Sequence, residues 1–347
     1  MARILAYTSP AIGHLFHMTP LLLELRARGH DVHLRTAASR VELMRDLGSH
    51  TDAIDPAIPA MIHPDWEASN PKQALEVAIS TILRARRDRR SRLPEALDEV
   101  APDTVLVDIN ARGALNAGEA WGGPWTVFSP YTPPISSAGE YFRRTPLMLV
   151  TTSEPFEYPH DDWGDRIRMI GALPWDPPAE RPPWLDDVDR PIVLVTTSSE
   201  YQADWAHGEA GEALVRAALD GLRDEPYTVV ATMPAGVQGL GDLPANARVL
   251  DFVPHRHVLD RTAVAVTHGG MGATQKPLAR GIPVCVVPFG RDQLEVARRV
   301  EVCGAGSRLP GFSWPRSAGA ADVGEARPAG VGVVAPHAAP QHGAALR

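Results

Sequence analysis

Two cysteines in 347 residues, Cys285 and Cys303, are too few for a disulfide framework, and their spacing suits neither a zinc site nor a redox pair. A reducing, cytoplasmic compartment is the expectation. Lysine is as scarce: Lys72 and Lys276 stand alone while arginine supplies the other 32 of 34 basic residues, a skew better explained by base composition than by chemistry. It singles out Lys276. Basic charge is in deficit, 34 residues against 42 acidic ones for a net −8, and a pI near 5.9 leaves no footprint for nucleic acid. A long uninterrupted apolar run is also missing. Ile4–Leu23 lacks Asp, Glu, Lys and Arg, but Ser9-Pro10, Gly13-His14, His17 and Thr19-Pro20 break it, so it reads as neither a membrane span nor a signal segment. The chain is expected to be soluble and unprocessed.

At roughly 100–200 residues per domain, this length favours two domains sharing a cleft. The opening reads as strand, loop and helix: the run Arg3–Ser9 ends at Pro10 and Gly13, a helical pattern follows through Leu21, Leu22 and Leu25, and Gly29 stops it. Asp31–Thr36 supplies the next strand of a βαβ unit, whose first loop lies at the carboxyl edge of the sheet, where ligands bind. Further strands are predicted at Thr104–Val107, Trp125–Phe128 and Leu147–Val150, with helices at Ala74–Arg92 and Ala111–Trp121. Residues 174–190 are dense in proline and aperiodic, and read as a linker. A second α/β series follows, with strands at Ile192–Thr197, Thr228–Thr232, Ala247–Leu250, Val264–Thr267 and Val284–Val287 and helices at Gly211–Leu222 and Thr274–Ala279. From Ser317 to Arg347, 18 of 31 residues are Ala, Gly or Pro, and no packed element is expected. The chain is therefore drawn as a domain at 1–173, a linker at 174–190, a domain at 191–316 and an atypical tail at 317–347.

Thr267-His-Gly-Gly-Met-Gly-Ala-Thr-Gln places a glycine-rich turn between strand and helix. Its backbone N–H groups and the positive end of the helix dipole make it a candidate diphosphate cradle, although such glycines also serve close packing of helix on sheet. Phe252-Val-Pro-His precedes it and Pro288-Phe-Gly-Arg-Asp-Gln follows it, both at predicted strand ends on the same edge. In the first half, Gly13-His14 lies in the loop after the first strand, and Asp108 closes the strand Thr-Val-Leu-Val-Asp. An imidazole titrates near neutrality and takes a hydroxyl proton, and a carboxylate beside it orients the ring and stabilises its protonated form. Taken singly, each residue has a plainer account: Phe252 as core, Asp292 with Gln293 as a helix cap, Lys276 as a solvated surface residue, His17 as a cleft-lining or structural one.

This order of motifs resembles the nucleotide-sugar-dependent glycosyltransferases of the GT-B fold, family 1, in their antibiotic and macrolide branch. The match is most specific from Arg248 to Gly306, and weaker at Arg3–Gly29, Pro102–Pro130 and Pro191–Gln202. The resemblance implies an α/β protein of two Rossmann-like doubly wound domains facing a cleft, the first binding an acceptor and the second a donor. It implies that His14 is the general base toward the acceptor and Asp108 its orienting partner. On the donor side it places Ser198, His268 and the backbone of Gly270, Gly272, Ala273 and Thr274 at the diphosphate. Phe252 would stack on the base, Val253 would bond it through its backbone, His255 would lie near the ribose, and Asp292 and Gln293 would grip sugar hydroxyls. The implied reaction is inverting transfer of a sugar from a UDP- or dTDP-activated donor to a hydroxyl of a small lipophilic acceptor, such as a natural product, phenol or glycolipid precursor. No cofactor and no metal are expected, because His268 and the helix terminus would stabilise the leaving diphosphate.

The sequence departs from that family in three places. Lys276, followed by Pro277, stands where many relatives carry a Glu that bonds ribose hydroxyls; an ammonium donates but cannot accept, so a different nucleotide preference is expected. Pro130–Ser153 is short for an acceptor wall, and the tail after Leu309-Pro310 replaces the family's amphipathic helices. Exposed apolar surface and marginal stability would follow, and a catalytically impaired nucleotide-binding protein of the same fold is the competing reading. A nucleotide-sugar epimerase would need carboxylates around the sugar that cannot be placed here. Ser9-Pro-Ala-Ile-Gly-His lacks the GxGxxG spacing of a dinucleotide-binding dehydrogenase.

Overall fold

The structure, a computed structural model, describes residues 1–58, 76, 91–132, 145–160, 163–197, 204–233, 240–290 and 292–309, with the backbone alone for 204–210. The helix expected at Ala74–Arg92 falls almost wholly outside those residues, as do Ser198 and the tail from 317 onward. Two compact units change over between Trp175 and Asp176.

The first unit holds strands β1 (Arg3–Tyr7), β2 (Asp31–Thr36), β3 (His50–Ala53), β4 (Thr104–Asp108), β5 (Trp125–Ser129), β6 (Met148–Val150) and β7 (Ile167–Met169). They pair in the order 3-2-1-4-5-6-7, with every neighbour parallel. The order reverses between β1 and β4, and the crevice outside the carboxyl ends at such a reversal is where doubly wound sheets bind ligands. Helices α1 (Ile12–Ala27), α2 (Val41–Asp46), α3 (Leu93–Val100) and α4 (Arg112–Trp121) cover the sheet. Burial on both faces explains the nearly continuous apolar runs of the inner strands. Along β1, Leu5 and Tyr7 join a cluster with Leu93 and Leu97 of α3 and Ala114 and Leu115 of α4, while Ala6 joins Leu15, Met18 and Leu22 of α1. Gly29, at φ +84°, ends α1 as the sequence predicts: its N–H donates to Arg26 O at 2.8 Å and that of His30 to Leu25 O at 3.1 Å, the paired bonds of a glycine-terminated helix.

The second unit holds β8 (Ile192–Thr196), β9 (Thr228–Thr232), β10 (Ala247–Leu250), β11 (Thr262–Thr267), β12 (Val284–Val286) and β13 (Gly306–Arg308), ordered 10-9-8-11-12-13 and again all parallel. Its reversal lies between β8 and β11. Helices are α5 (Asp204–Gly221), α6 (His255–Leu259), α7 (Met271–Leu278) and α8 (Gln293–Val302). Val193, Val195, Val229, Ala231 and Val266 pack on Leu214, Val215, Ala218 and Leu219 of α5.

Three differences from the sequence expectation matter. The helix expected from Thr274 begins at Met271, because the chain reverses at Gly269 with φ +93° and Gly270 is already the N-cap. Strands β3, β7 and β13 carry no period of their own because each is a sheet edge of only three or four residues. The proline-rich stretch expected as a linker is packed rather than free. Trp175 still meets Phe16 of α1, ring centroids 5.0 Å apart, yet from Asp176 onward the chain is seated on the second unit. The Arg256 guanidinium donates to the carbonyls of Asp176, Pro177 and Ala179 at 3.1, 2.9 and 2.9 Å, and Arg261 Nη1 donates to Leu185 O at 2.7 Å.

Candidate active site

In the first unit the switch point between β1 and β4 brings His14 and Asp108 together. Asp108 closes β4 and is fully buried; His14 sits in the first turn of α1, whose amino end follows β1 through Ser9–Ala11. His14 Nδ1 lies 2.9 Å from each carboxylate oxygen. Ser9 donates to Asp108 Oδ2 through its N–H at 3.0 Å and its hydroxyl at 2.7 Å, and the Asn110 N–H donates to Oδ1 at 2.8 Å. Burial acts to raise the Asp108 pKa, but the His14 charge and these hydrogen bonds outweigh it and hold the carboxyl below its ordinary value. A carboxylate only accepts, so the neutral imidazole carries its proton on Nδ1 and its lone pair on Nε2. His17 is buried and donates from Nδ1 to Gly13 O at 2.7 Å, which ties it to the helix backbone.

In the second unit the glycine turn follows β11 at that sheet's own switch point. The Gly269 N–H donates to Thr267 Oγ1 at 3.1 Å, and Thr267 Oγ1 lies 3.1 Å from Thr274 Oγ1, so both threonines brace the turn. The buried His268 ring folds over Gly270: a Cβ there would lie 2.5 Å from His268 Nε2. Thr274 N donates the first helical bond, to Gly270 O at 3.0 Å, which leaves the N–H groups of Met271, Gly272 and Ala273 without an intrahelical acceptor. Phe252 is 56% exposed, which excludes a core role, whereas Val253 is buried. Asp292 makes no side-chain capping bond to α8, so the helix-cap account of that residue fails. Gln293 is buried and spends its Oε1 on the N–H groups of Phe289 and Gly290, at 2.7 and 3.1 Å, fixing the loop after β12. The residues expected at a donor are thus gathered along one sheet edge, apart from Ser198, which lies outside the described residues.

Residues 216–317 match the family of erythromycin biosynthesis protein CIII-like C-terminal domains. The 4'-demethylrebeccamycin synthase of Lentzea aerocolonigenes is 28% identical over 89% of this chain and 87% of its own. Demethyllactenocin mycarosyltransferase of Streptomyces fradiae is 27% identical over 90% and 76% respectively. Spinosyn rhamnosyltransferase SpnG, solved with thymidine diphosphate and separately with the spinosyn aglycone, matches with TM-scores of 0.70 and 0.72 at 21% identity, covering 89% and 90% of this chain and 87% of that one. The chain has the GT-B fold and is a glycosyltransferase, similar to those of antibiotic biosynthesis. Among its described residues no helix is long and apolar enough to cross a membrane.

The glycosyltransferase treats Lys276 in a way its sequence does not reveal. Far from being solvated, Lys276 is 15% exposed in its side chain and pairs with Asp176, its Nζ 2.6 Å from Oδ1. The other carboxylate oxygen accepts from Arg256 N in the first turn of α6, at 2.9 Å. Burial acts to raise the Asp176 pKa, and Lys276, His255 and the Arg256 N–H together lower it below its ordinary value. His255, which opens α6, approaches Thr232 Oγ1 with Nε2 at 3.3 Å, while its Nδ1 is buried without a hydrogen-bond partner among the described residues. Burial first, and the Lys276 ammonium second, push the His255 imidazole down to about 4, with Asp176 opposing. An unfolded His255 gains its proton near 6.5 while the folded one stays neutral, so the glycosyltransferase loses stability as pH falls from 6.5 toward 4. Lys276→Met removes the repelling charge and leaves Asp176 to favour the cation. The His255 Cε1 proton resonance should then titrate at higher pH than in the wild type, and an unmoved titration would show that the ammonium is not felt.

Proposed function

We propose that this glycosyltransferase moves a sugar, with inversion, from a UDP- or dTDP-activated donor to a hydroxyl of a small lipophilic acceptor in the cytoplasm. The observation that carries the reading is the His14–Asp108 pair: a buried carboxylate grips Nδ1 and points a lone pair from Nε2, as a general base toward a hydroxyl requires. The acceptor O–H proton passes to Nε2 and the oxygen attacks the anomeric carbon. The C–O bond to the nucleoside diphosphate breaks on the opposite face through an oxocarbenium-like state. The departing charge falls to the N–H groups of Gly272 and Ala273 at the amino end of α7 and to His268, without a metal. Phe252, exposed on the edge beside α6, stacks on the nucleobase, and His255 lies at the ribose. Asp292 holds sugar hydroxyls. Gln293 contributes its side-chain amide, since its carbonyl already serves the loop.

The first experiment is calorimetric titration with UDP, dTDP and, as a control, ADP, followed by product detection with phenolic and polyketide acceptors. Selective binding of a uracil or thymine nucleotide with product formation is the expected result. Binding without product from any acceptor would favour the impaired nucleotide-binding protein, and a folded chain that binds none of the three would sink the donor assignment. Phe252→Ala should weaken the preferred nucleotide about 5- to 150-fold, the range for losing one base–aromatic stack of about 1–3 kcal/mol. Unchanged affinity would remove Phe252 from the site.

A further inference from the structure

We propose that Asn110 is a further catalytic residue: its side-chain amide, held between Tyr131 and His14, stands where the acceptor hydroxyl must arrive and hydrogen-bonds that oxygen during transfer. The inference rests on the function proposed above and extends it to a residue that the sequence motifs did not single out.

Asn110 closes a ring of contacts with the pair already described. Its N–H donates to Asp108 Oδ1 at 2.8 Å, its Nδ2 lies 3.4 Å from His14 Nε2, and its Oδ1 accepts from the Tyr131 hydroxyl at 2.8 Å. The orientation of the amide follows from donor and acceptor arithmetic. Asp108 fixes the proton of the neutral imidazole on Nδ1, so Nε2 presents a lone pair; a lone pair faces an NH2 group rather than a carbonyl, and the remaining Oδ1 is left to accept from Tyr131. The Tyr131 ring also stands edge-on to the imidazole, with centroids 5.7 Å apart and planes at 62°. Asn110 is therefore held by its backbone from one side and by a phenol from the other, with an N–H aimed at the atom that receives the acceptor's proton.

At 3.4 Å the amide is a weak occupant of that lone pair, and a hydroxyl that donates to Nε2 at ordinary length displaces it. The displaced N–H then lies beside the incoming oxygen. That oxygen has two lone pairs: one accepts from Asn110 and the other attacks the anomeric carbon. As the O–H bond breaks and its proton moves to Nε2, charge grows on the oxygen and the Asn110 bond strengthens, a contribution larger in the transition state than in the ground state. The attacking lone pair becomes the new C–O bond, and the pair of the broken glycosyl–phosphate bond leaves on the nucleoside diphosphate. Tyr131 is a positioning residue, acting through Asn110 Oδ1.

The test compares the wild type with Asn110→Ala, Asn110→Asp and Tyr131→Phe, using UDP-glucose or dTDP-glucose, phenols of graded acidity and one aliphatic alcohol. Nucleotide affinity serves as the check on folding. Asn110→Ala should lower kcat/KM about 10- to 100-fold, the loss growing as the acceptor becomes less acidic, while nucleotide affinity stays within about twofold. Asn110→Asp sets a carboxylate against Nε2 that favours the imidazolium, so the acid limb of the pH–rate profile moves to higher pH, a readout that a merely structural asparagine would not move. Tyr131→Phe keeps the ring and loses the hydroxyl, for about a 3- to 10-fold fall in kcat. Wild-type rates for Asn110→Ala with every acceptor, or an unmoved profile for Asn110→Asp, overturn the proposal. A wild type that transfers no sugar to any acceptor would instead overturn the function on which it rests, a failure distinct from that of an active enzyme indifferent to Asn110.

Discussion

Replacement of His14 by alanine is expected to lower the rate of sugar transfer by about 10²- to 10⁴-fold, the range associated with loss of a positioned general base. Nucleotide affinity should not change, because the candidate donor residues belong to the other compact unit. Asp108→Asn should be nearly as damaging by a different route. Ser9 donates two hydrogen bonds to Oδ2, so the amide oxygen would settle there and turn its NH2 toward His14 Nδ1. The ring would then carry its proton on Nε2, the wrong nitrogen for accepting one from a hydroxyl. This variant also reports on stability. The Asp108 carboxyl is held below its ordinary 3.8, so its contribution is present above that value and disappears as pH falls through the lower folded value. The stability difference between wild type and Asp108→Asn, measured by denaturant melts, should shrink in the same direction. Full transfer activity in a folded His14→Ala protein would remove the general-base assignment.

The second large effect is expected at Gly269. Its φ of +93° lies in the left-handed region, and a Cβ there would meet Val286 Cγ1 at 2.9 Å and the Gln293 backbone oxygen at 3.0 Å. Gly269→Ala therefore combines a backbone penalty of about 1–2 kcal/mol with overpacking of about 1–3 kcal/mol. A fall in Tm of roughly 5–15 °C should follow. Movement of the turn should also cost at least about tenfold in UDP or dTDP affinity, since the donor N–H groups at the start of α7 lose their aim. Gly13→Ala is the stability control: it has no Cβ neighbour within 4 Å and ordinary φ, so alanine in that helix should leave stability level or slightly raised. A Gly269→Ala protein with wild-type Tm and affinity would show that the turn tolerates a side chain.

The parts of this fold that sequence could report are those where one short segment carries its own signal. Buried parallel strands such as Arg3–Tyr7 and Ile192–Thr196 are apolar without interruption, and Gly29 announces the end of α1. The His14–Asp108 pair was legible because neighbouring strand ends at a switch point meet whatever the loops do. Side-chain partnerships across long separations were not legible. Asp176 meets Arg256 and Lys276 over 80 and 100 residues, and nothing in Trp-Asp-Pro-Pro forecasts a buried ion pair. Asn110 takes its orientation from Tyr131, 21 residues on. Exposure was equally hidden: Phe252 is apolar enough for a core, and only the packed chain shows it facing solvent.

The grip of Arg256 on the carbonyls of Asp176, Pro177 and Ala179 has a bearing on engineering hybrids of such enzymes. A natural seam for exchanging the first half would be sought after the prolines, at about Arg190. Joined there, a hybrid would import a foreign strand of chain beneath α6 and leave Lys276 facing whatever residue arrived in place of Asp176. Joined between Trp175 and Asp176, the second half carries its own counter-ion and its own brace. The proline-rich stretch is inherited with the half it supports, and the productive crossover lies fifteen residues earlier than composition suggests.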